Sequence, residues 1–201
     1  MDKHSELELK FKADGIDFKV FNKYMLKHAG FNSSKIYTAS PDVYYKQGDS
    51  VIRHRQNGEN GGELTVKQRK DDDSIVDRVE IDLKFAEGTT ERDVTAFLLA
   101  TGWVERLDLN KWSHIYTVRR NGITSILAFY TVEEYSGLEV NPPRDFIEVE
   151  IDKENEISEQ QALDESNWWK KDLQFNLGLG EPINQSLYEI YTGERYVKKS
   201  A

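Results

Sequence analysis

The chain has 201 residues, no cysteine, 31% charged residues and a formal net charge of −9, with a mean hydropathy of −0.69. That length suits one large domain with an ample core, and the missing cysteines exclude disulfide frameworks and thiolate zinc sites. The acidic balance argues against nonspecific nucleic-acid binding and against an anionic membrane surface, both of which need a basic face.

Charged residues begin at Asp2 with no apolar run behind them, so no signal peptide is expected. No segment approaches the roughly 18 apolar residues of a membrane span, and the default compartment is the cytoplasm. With no long linker, repeat or low-complexity tract, residues 1–201 read as a single domain.

The first strand, Glu6 to Lys12, places Glu6, Glu8, Lys10 and Lys12 on one face and Leu7, Leu9 and Phe11 on the other. Helical spacing follows from Phe18 to Leu26, with Gly30 as a stop. A short strand at Val43-Tyr44-Tyr45 comes after Pro41. Ser50 to Gln56 and Glu63 to Arg69 predict a hairpin around the Asn57 to Gly62 turn. Asp71-Asp72-Asp73 reads as the turn into a strand from Ile75 to Leu83. Asp93 to Ala100 predicts a second helix that stops near Gly102.

Strands resume at Trp112 to Arg119 and Ile123 to Val132, joined at Asn121-Gly122, a strong hairpin signal. Pro142-Pro143 precedes a strand from Phe146 to Ile151. Ser158 with Gln161 forms a capping-box pattern before a helix that runs through Trp168-Trp169 to Leu177. A short helix from Ser186 to Tyr191 and a Lys198-Lys199 tail end the chain. Many antiparallel strands with a few helices make this an α+β fold.

The strands share a further property. Arg53 and Arg55 lie on one face of their strand, against Ile52 and His54. Thr65, Lys67 and Arg69 oppose Leu64 and Val66. Arg78, Glu80 and Asp82 oppose Val79, Ile81 and Leu83, and Glu148, Glu150 and Asp152 oppose Ile147, Val149 and Ile151. Either the charged faces meet water on a half-buried sheet, or they line a barrel whose aliphatic exterior is covered by helices. Burying that many ions costs several kcal/mol each unless they are cross-paired or hold a ligand. Carboxylates gathered on the end strands and cations on the middle ones weaken the first arrangement and leave both open.

These residues resemble the CYTH proteins, the triphosphate tunnel metalloenzymes. Glu6-x-Glu8-x-Lys10 is similar to the family's ExExK signature, and Asp42-x-Tyr44-Tyr45 and Arg53-x-Arg55 to its next two motifs. Leu64-Thr65-Val66-Lys67 resembles its lysine strand, Arg78-x-Glu80 the following one, and Glu148-x-Glu150 its late ExE strand. Ser186-x-Tyr188 is close to its C-terminal Ser-Tyr element, with one residue inserted. Two positions depart. The family's Lys-x-Arg falls at Lys111-x-Ser113 or His114-x-Tyr116, with Arg119 as a substitute cation. Its Asp on the next strand falls at Phe129 or Tyr130.

The resemblance implies a closed or nearly closed antiparallel β-barrel with a charged lumen and helices packed outside. It implies a cationic cradle of Lys10, Arg53, Arg55, Lys67, Arg78 and Arg119 for a triphosphate. Glu6, Glu8, Glu148 and Glu150 would hold Mg²⁺ or Mn²⁺, and Glu80, Glu150 and Lys10 would serve catalysis. The implied activity is metal-dependent hydrolysis of an inorganic, thiamine or nucleoside triphosphate, with phosphate release. Class IV adenylate cyclase chemistry and non-catalytic nucleotide or polyphosphate binding are the alternatives. The implied partner is a triphosphate-bearing small molecule, with no nucleic acid and no membrane, and a homodimer is compatible.

Other features read as structural. The aspartate run is an exposed turn, at least one of Trp168 and Trp169 anchors a helix, and His4, His28, His54 and His114 lack ligand spacing. There is no P-loop, Ser-His-Asp set or dinucleotide fingerprint.

Overall fold

A computed structural model describes residues 2–28, 34–56, 62–69, 76–135, 142–152 and 157–194; within these, the side chains of 2–6, 34–35, 67–69, 76–80 and 152 are not described. The strands are β1 (Asp2–Lys12), β2 (Ser34–Gln47), β3 (Ser50–Arg55), β4 (Glu63–Arg69), β5 (Val76–Lys84), β6 (Val104–Arg120), β7 (Ile123–Glu134) and β8 (Arg144–Asp152). The helices are α1 (Phe18–Lys27), α2 (Glu91–Ala100), α3 (Glu159–Leu177) and α4 (Leu187–Thr192). The fold is therefore α+β. All ladders are antiparallel, in the order β1-β5-β4-β3-β2-β6-β7-β8, and β8 pairs in turn with β1 through Lys10↔Glu148 and its neighbours. No described helix is long and apolar enough to cross a membrane.

Alternation sorts each strand into two faces. Leu7, Leu9 and Phe11 join Ile147, Val149 and Ile151 of β8, Leu127 and Phe129 of β7, and Tyr116 and Val118 of β6. Phe21, Tyr24 and Met25 of α1 and Ala162, Trp169 and Leu173 of α3 cover this surface. Trp169 is fully buried and its Nε1 donates to Ser125 Oγ at 2.9 Å, which fixes α3 to β7. On the other side of the molecule, α2 lays Val94 and Leu98 over Val43 and Tyr45. Both sets lie on the aliphatic side of the sheet.

Local chemistry sets the helix ends. Asp17 accepts from Val20 N at 2.9 Å and starts α1. Ser158 and Gln161 form the expected reciprocal box, and Thr90–Asp93 and Ser186–Glu189 form two more. The Asn121-Gly122 turn has both residues at positive φ, 51° and 83°, as a two-residue hairpin of the primed type requires.

Three segments differ from the sequence expectation. β2 runs fourteen residues rather than three: Pro41 sits inside it in register with Asn110, and a separate bulge follows at Tyr44/Tyr45. β6 begins at Val104 rather than Trp112, where Leu107 and Leu109 alternate with Arg106 and Asp108. α1 ends at Lys27, capped by His28, whose N–H donates to the carbonyls of Leu26 and Met25, ahead of the expected Gly30, which lies outside the described residues. The expected Asp71 to Asp73 turn and the Lys198-Lys199 tail also lie outside them.

The face away from α1, α2 and α3 is divided along its length. Glu8, Lys10, Asp42, Arg53, Arg55, Lys111 and Glu148 occupy one stretch. The same faces of β2, β3, β6, β7 and β8 then present Tyr44, Val51, Leu107, Leu109, Tyr130, Val132 and Phe146, which pack with Leu187 and Tyr188 of α4. Ile183 N donates to Lys10 O at 2.7 Å, bringing the segment before α4 across β1.

Candidate active site

The neighbouring strands β1 and β8 supply a carboxylate cluster. Glu8 is paired with Glu150 and Lys10 with Glu148 in the ladder. Lys10 Nζ lies 2.9 Å from Glu8 Oε1 and 3.2 Å from Glu148 Oε1, with all three side chains at least nine-tenths buried. One oxygen from each of Glu8, Glu148 and Glu150 falls within 4.8 Å of the others. Three hard oxygen donors at that spacing suit Mg²⁺ or Mn²⁺, so the residues fit the implied metal.

Facing them are cations from strands further round the order. Lys111 Nζ of β6 lies 3.7 Å from Glu148 Oε2 and 3.8 Å from the centre of the Tyr130 ring. Burial pulls the Lys111 ammonium down to about 8, against the opposing pull of Glu148 and with help from Arg55 and Arg53. β3 and β6 both pair with β2, which puts Arg55 and Lys111 on the same face to either side of it. Arg55 makes two 2.7 Å hydrogen bonds, from Nε and Nη2, to the two oxygens of Asp42. Burial pushes the Asp42 carboxyl up, but Arg55 and Arg53 outweigh it and hold it below the usual range.

Arg53 is placed differently. Its Nη2 donates to Thr65 Oγ1 at 2.9 Å, Thr65 Oγ1 donates to Asp82 Oδ1 at 2.8 Å, and Glu63 stands 3.7 Å away. Arg53 Nε is buried with no hydrogen-bond partner among the described residues. The hydroxyl of Tyr130 is buried without one as well. Burial raises the Tyr130 phenol well above its ordinary value, and Glu148 and Glu8 add to the rise.

Of the residues singled out from the sequence, Glu8, Lys10, Arg53, Arg55, Glu148 and Glu150 fall on this one face. Glu6, Lys67, Arg78 and Glu80 occupy registered positions, Glu6 opposite Arg78 and Lys67 opposite Glu80, but their side chains lie outside those described. Arg119 does not join the group. It is exposed next to the Asn121-Gly122 turn, and eight strand residues from Lys111 amount to roughly 26 Å.

The register of β6 decides between the two Lys-x-Arg alignments. Lys111 and Ser113 share the charged face, whereas His114 stacks on Phe18 of α1 at 3.6 Å and Tyr116 OH donates to Asn22 Oδ1 at 2.6 Å. On β7 it is Tyr130, opposite Ser113, that takes the charged face, while Phe129 packs with α1. The anchoring of the two arginines by Asp42 and by Thr65 with Asp82 was not foreseen; the shared parity of Thr65 with Lys67 was the available signal.

Comparison with known proteins agrees with this arrangement. The CYTH domain family matches residues 4–175, and the chain belongs to that family. Among solved structures, a Pyrococcus horikoshii protein superposes with a TM-score of 0.65 at 23% identity, covering 94% of this chain and 99% of that one. A conserved hypothetical protein from Pyrococcus furiosus gives 0.62 at 21%, covering 92% and 98%. A Bacillus halodurans protein provisionally assigned as an adenylate cyclase gives 0.58 at 14%, covering 96% and 100%. These likenesses establish a shared fold. No curated protein matches the chain.

Proposed function

We propose that the charged face encloses a tunnel that binds a triphosphate, and that the protein is a metal-dependent enzyme hydrolysing an inorganic, thiamine or nucleoside triphosphate with release of phosphate. The observation that carries this reading is the opposition of two largely buried charge sets. The Glu8, Glu148 and Glu150 oxygens converge within 4.8 Å, while Lys111 Nζ stands 3.7 Å from Glu148 Oε2 and Arg55 is fixed by Asp42 on the same face.

A triphosphate needs positive charge along its length, and arginine forks match its oxygens in pairs. Arg53, Arg55, Lys10 and Lys111 would supply that cradle, together with Lys67 and Arg78 from their registered positions. Asp42 and Thr65 hold the two arginines by separate anchors, which reduces the reorganisation needed on binding. Glu8, Glu148 and Glu150, with Glu6 beside them on β1, would hold Mg²⁺ or Mn²⁺. Such an ion, when bound, neutralises phosphate charge and polarises the group under attack. Glu150 or Glu80 would orient the attacking water and accept its proton. Lys10, which bridges Glu8 and Glu148 in the free protein, would turn to the phosphate as the carboxylates are engaged.

Phosphoryl transfer depends mostly on positioning and electrostatic stabilisation, and hydrolysis asks only that a water be placed in line. The test is incubation with tripolyphosphate, thiamine triphosphate or ATP, with Mg²⁺ or Mn²⁺, and resolution of the products. Orthophosphate release supports hydrolysis. Cyclic AMP with pyrophosphate would replace it with cyclase activity, and metal-dependent binding without turnover would make the protein a binder.

A further inference from the structure

Tyr130 carries a feature that neither packing nor the charge pairing uses. Its side chain is fully buried, its ring stacks on Phe146 at 5.5 Å and 25°, and the Lys111 ammonium lies over the ring, 3.8 Å from its centre. The ring is therefore fixed. Its hydroxyl has no partner among the described residues, and the Lys111 ammonium over its ring reaches Glu148 Oε2 at 3.7 Å, which places the ring beside the carboxylates. Buried polar groups are nearly always satisfied, and this position lies beside Val132, Leu109 and Phe146, where a phenylalanine would pack equally well. An unused donor at the border between the aromatic stretch and the carboxylates fits an acceptor that arrives with the ligand.

We propose that Tyr130 contacts the bound ligand, donating its hydroxyl hydrogen to a non-bridging phosphate oxygen at the carboxylate end of the site. This rests on the triphosphate reading above. A neutral donor adds no charge to a region already holding Lys10 and Lys111, and it selects for an acceptor at that point without adding a ligand to the metal.

The test is calorimetric titration of wild type and Tyr130→Phe with an imido-bridged tripolyphosphate that resists hydrolysis, in the presence of Mn²⁺, and with Mn²⁺ alone. Removing only the hydroxyl is expected to weaken tripolyphosphate binding roughly ten- to thirtyfold, the weight of one hydrogen bond to a charged oxygen. Mn²⁺ affinity should stay within about twofold, and the melting temperature of the ligand-free protein should hold or rise, because an unsatisfied polar group has gone. Equal tripolyphosphate binding by the two proteins overturns the assignment while leaving the triphosphate reading intact. So does a loss of Mn²⁺ affinity that accounts for the whole effect, or a lower ligand-free melting temperature, since either makes the hydroxyl a metal-site or structural group. A wild type that binds no tripolyphosphate overturns this assignment, and one that also binds neither ATP nor thiamine triphosphate overturns the triphosphate reading with it.

Discussion

Arg55 grips Asp42 through two parallel hydrogen bonds of 2.7 Å, with the carboxylate fully buried and the guanidinium less than a quarter exposed. The pair joins β2 to β3 at a ladder position where the two residues are direct partners. Breaking one side of such a pair strands the other charge. Asp42→Asn should therefore cost about 3 kcal/mol in urea unfolding at pH 7. The folded carboxyl titrates below its unfolded value, so its contribution is complete above about pH 4 and is lost as pH falls through the lower folded value. Stability curves for wild type and variant should converge in acid; parallel curves would mean that the pair does not set the acid limb.

Glu8→Gln and Glu148→Gln should each remove most of the thermal stabilisation that Mn²⁺ gives the wild type, and with it metal-dependent turnover. The ligand-free melting temperature should change little, because Lys10 retains one carboxylate when the other is neutralised. Mass action ties the size of the shift to affinity, so melting curves over a Mn²⁺ series read the site directly. Turnover that survives both substitutions would remove the tunnel assignment.

Lys111→Met should weaken tripolyphosphate binding by at least tenfold, whereas Arg119→Met should leave it within about twofold. One cation is buried against Glu148 and the other is exposed by the hairpin turn. A buried charge acts through a low dielectric, and an exposed one is screened. Competition binding against a labelled nucleotide separates the two variants, and the reverse ranking would put the β6 cation at the wrong residue.

His54 supplies a pH test away from the site. It is 1% exposed on the α2-covered side of β3, edge-on to Phe85, and neither ring nitrogen has a partner among the described residues. Burial lowers its pKa, with Glu91 and Asp42 opposing. The unfolded chain therefore takes up the proton first, near pH 6.5, and stability falls as pH drops below that value. His54→Leu should lose less stability than wild type between pH 7 and 5 in urea unfolding. A difference that does not vary with pH would rule out titration of this ring.

Period-two alternation made the two faces of β1, β3, β4, β5 and β8 readable, and Ser158 with Gln161 and Asn121 with Gly122 fixed a helix start and a hairpin. What alternation cannot give is register. Lys111 and His114 lie three residues apart and so on opposite faces, and only the pairing with β7, which sets Ser113 opposite Tyr130, shows that Lys111 shares the face of Tyr130. Arg119 shares parity with Lys111 but not position, because a face says nothing about distance along the strand. Pro41 concealed most of β2, since a proline in a run argues against a strand, and here it sits just beyond the end of the ladder with β3, which begins at Asp42.

Thr65 adds a constraint of its own. Its single hydroxyl hydrogen is committed to Asp82, so its oxygen has only lone pairs left for Arg53. The chain from β3 to β5 thus has a direction, and the place Arg53 fills admits a donor and refuses an acceptor. Lysine satisfies that rule at position 53, glutamate breaks it whatever its size, and valine at position 65 erases it altogether.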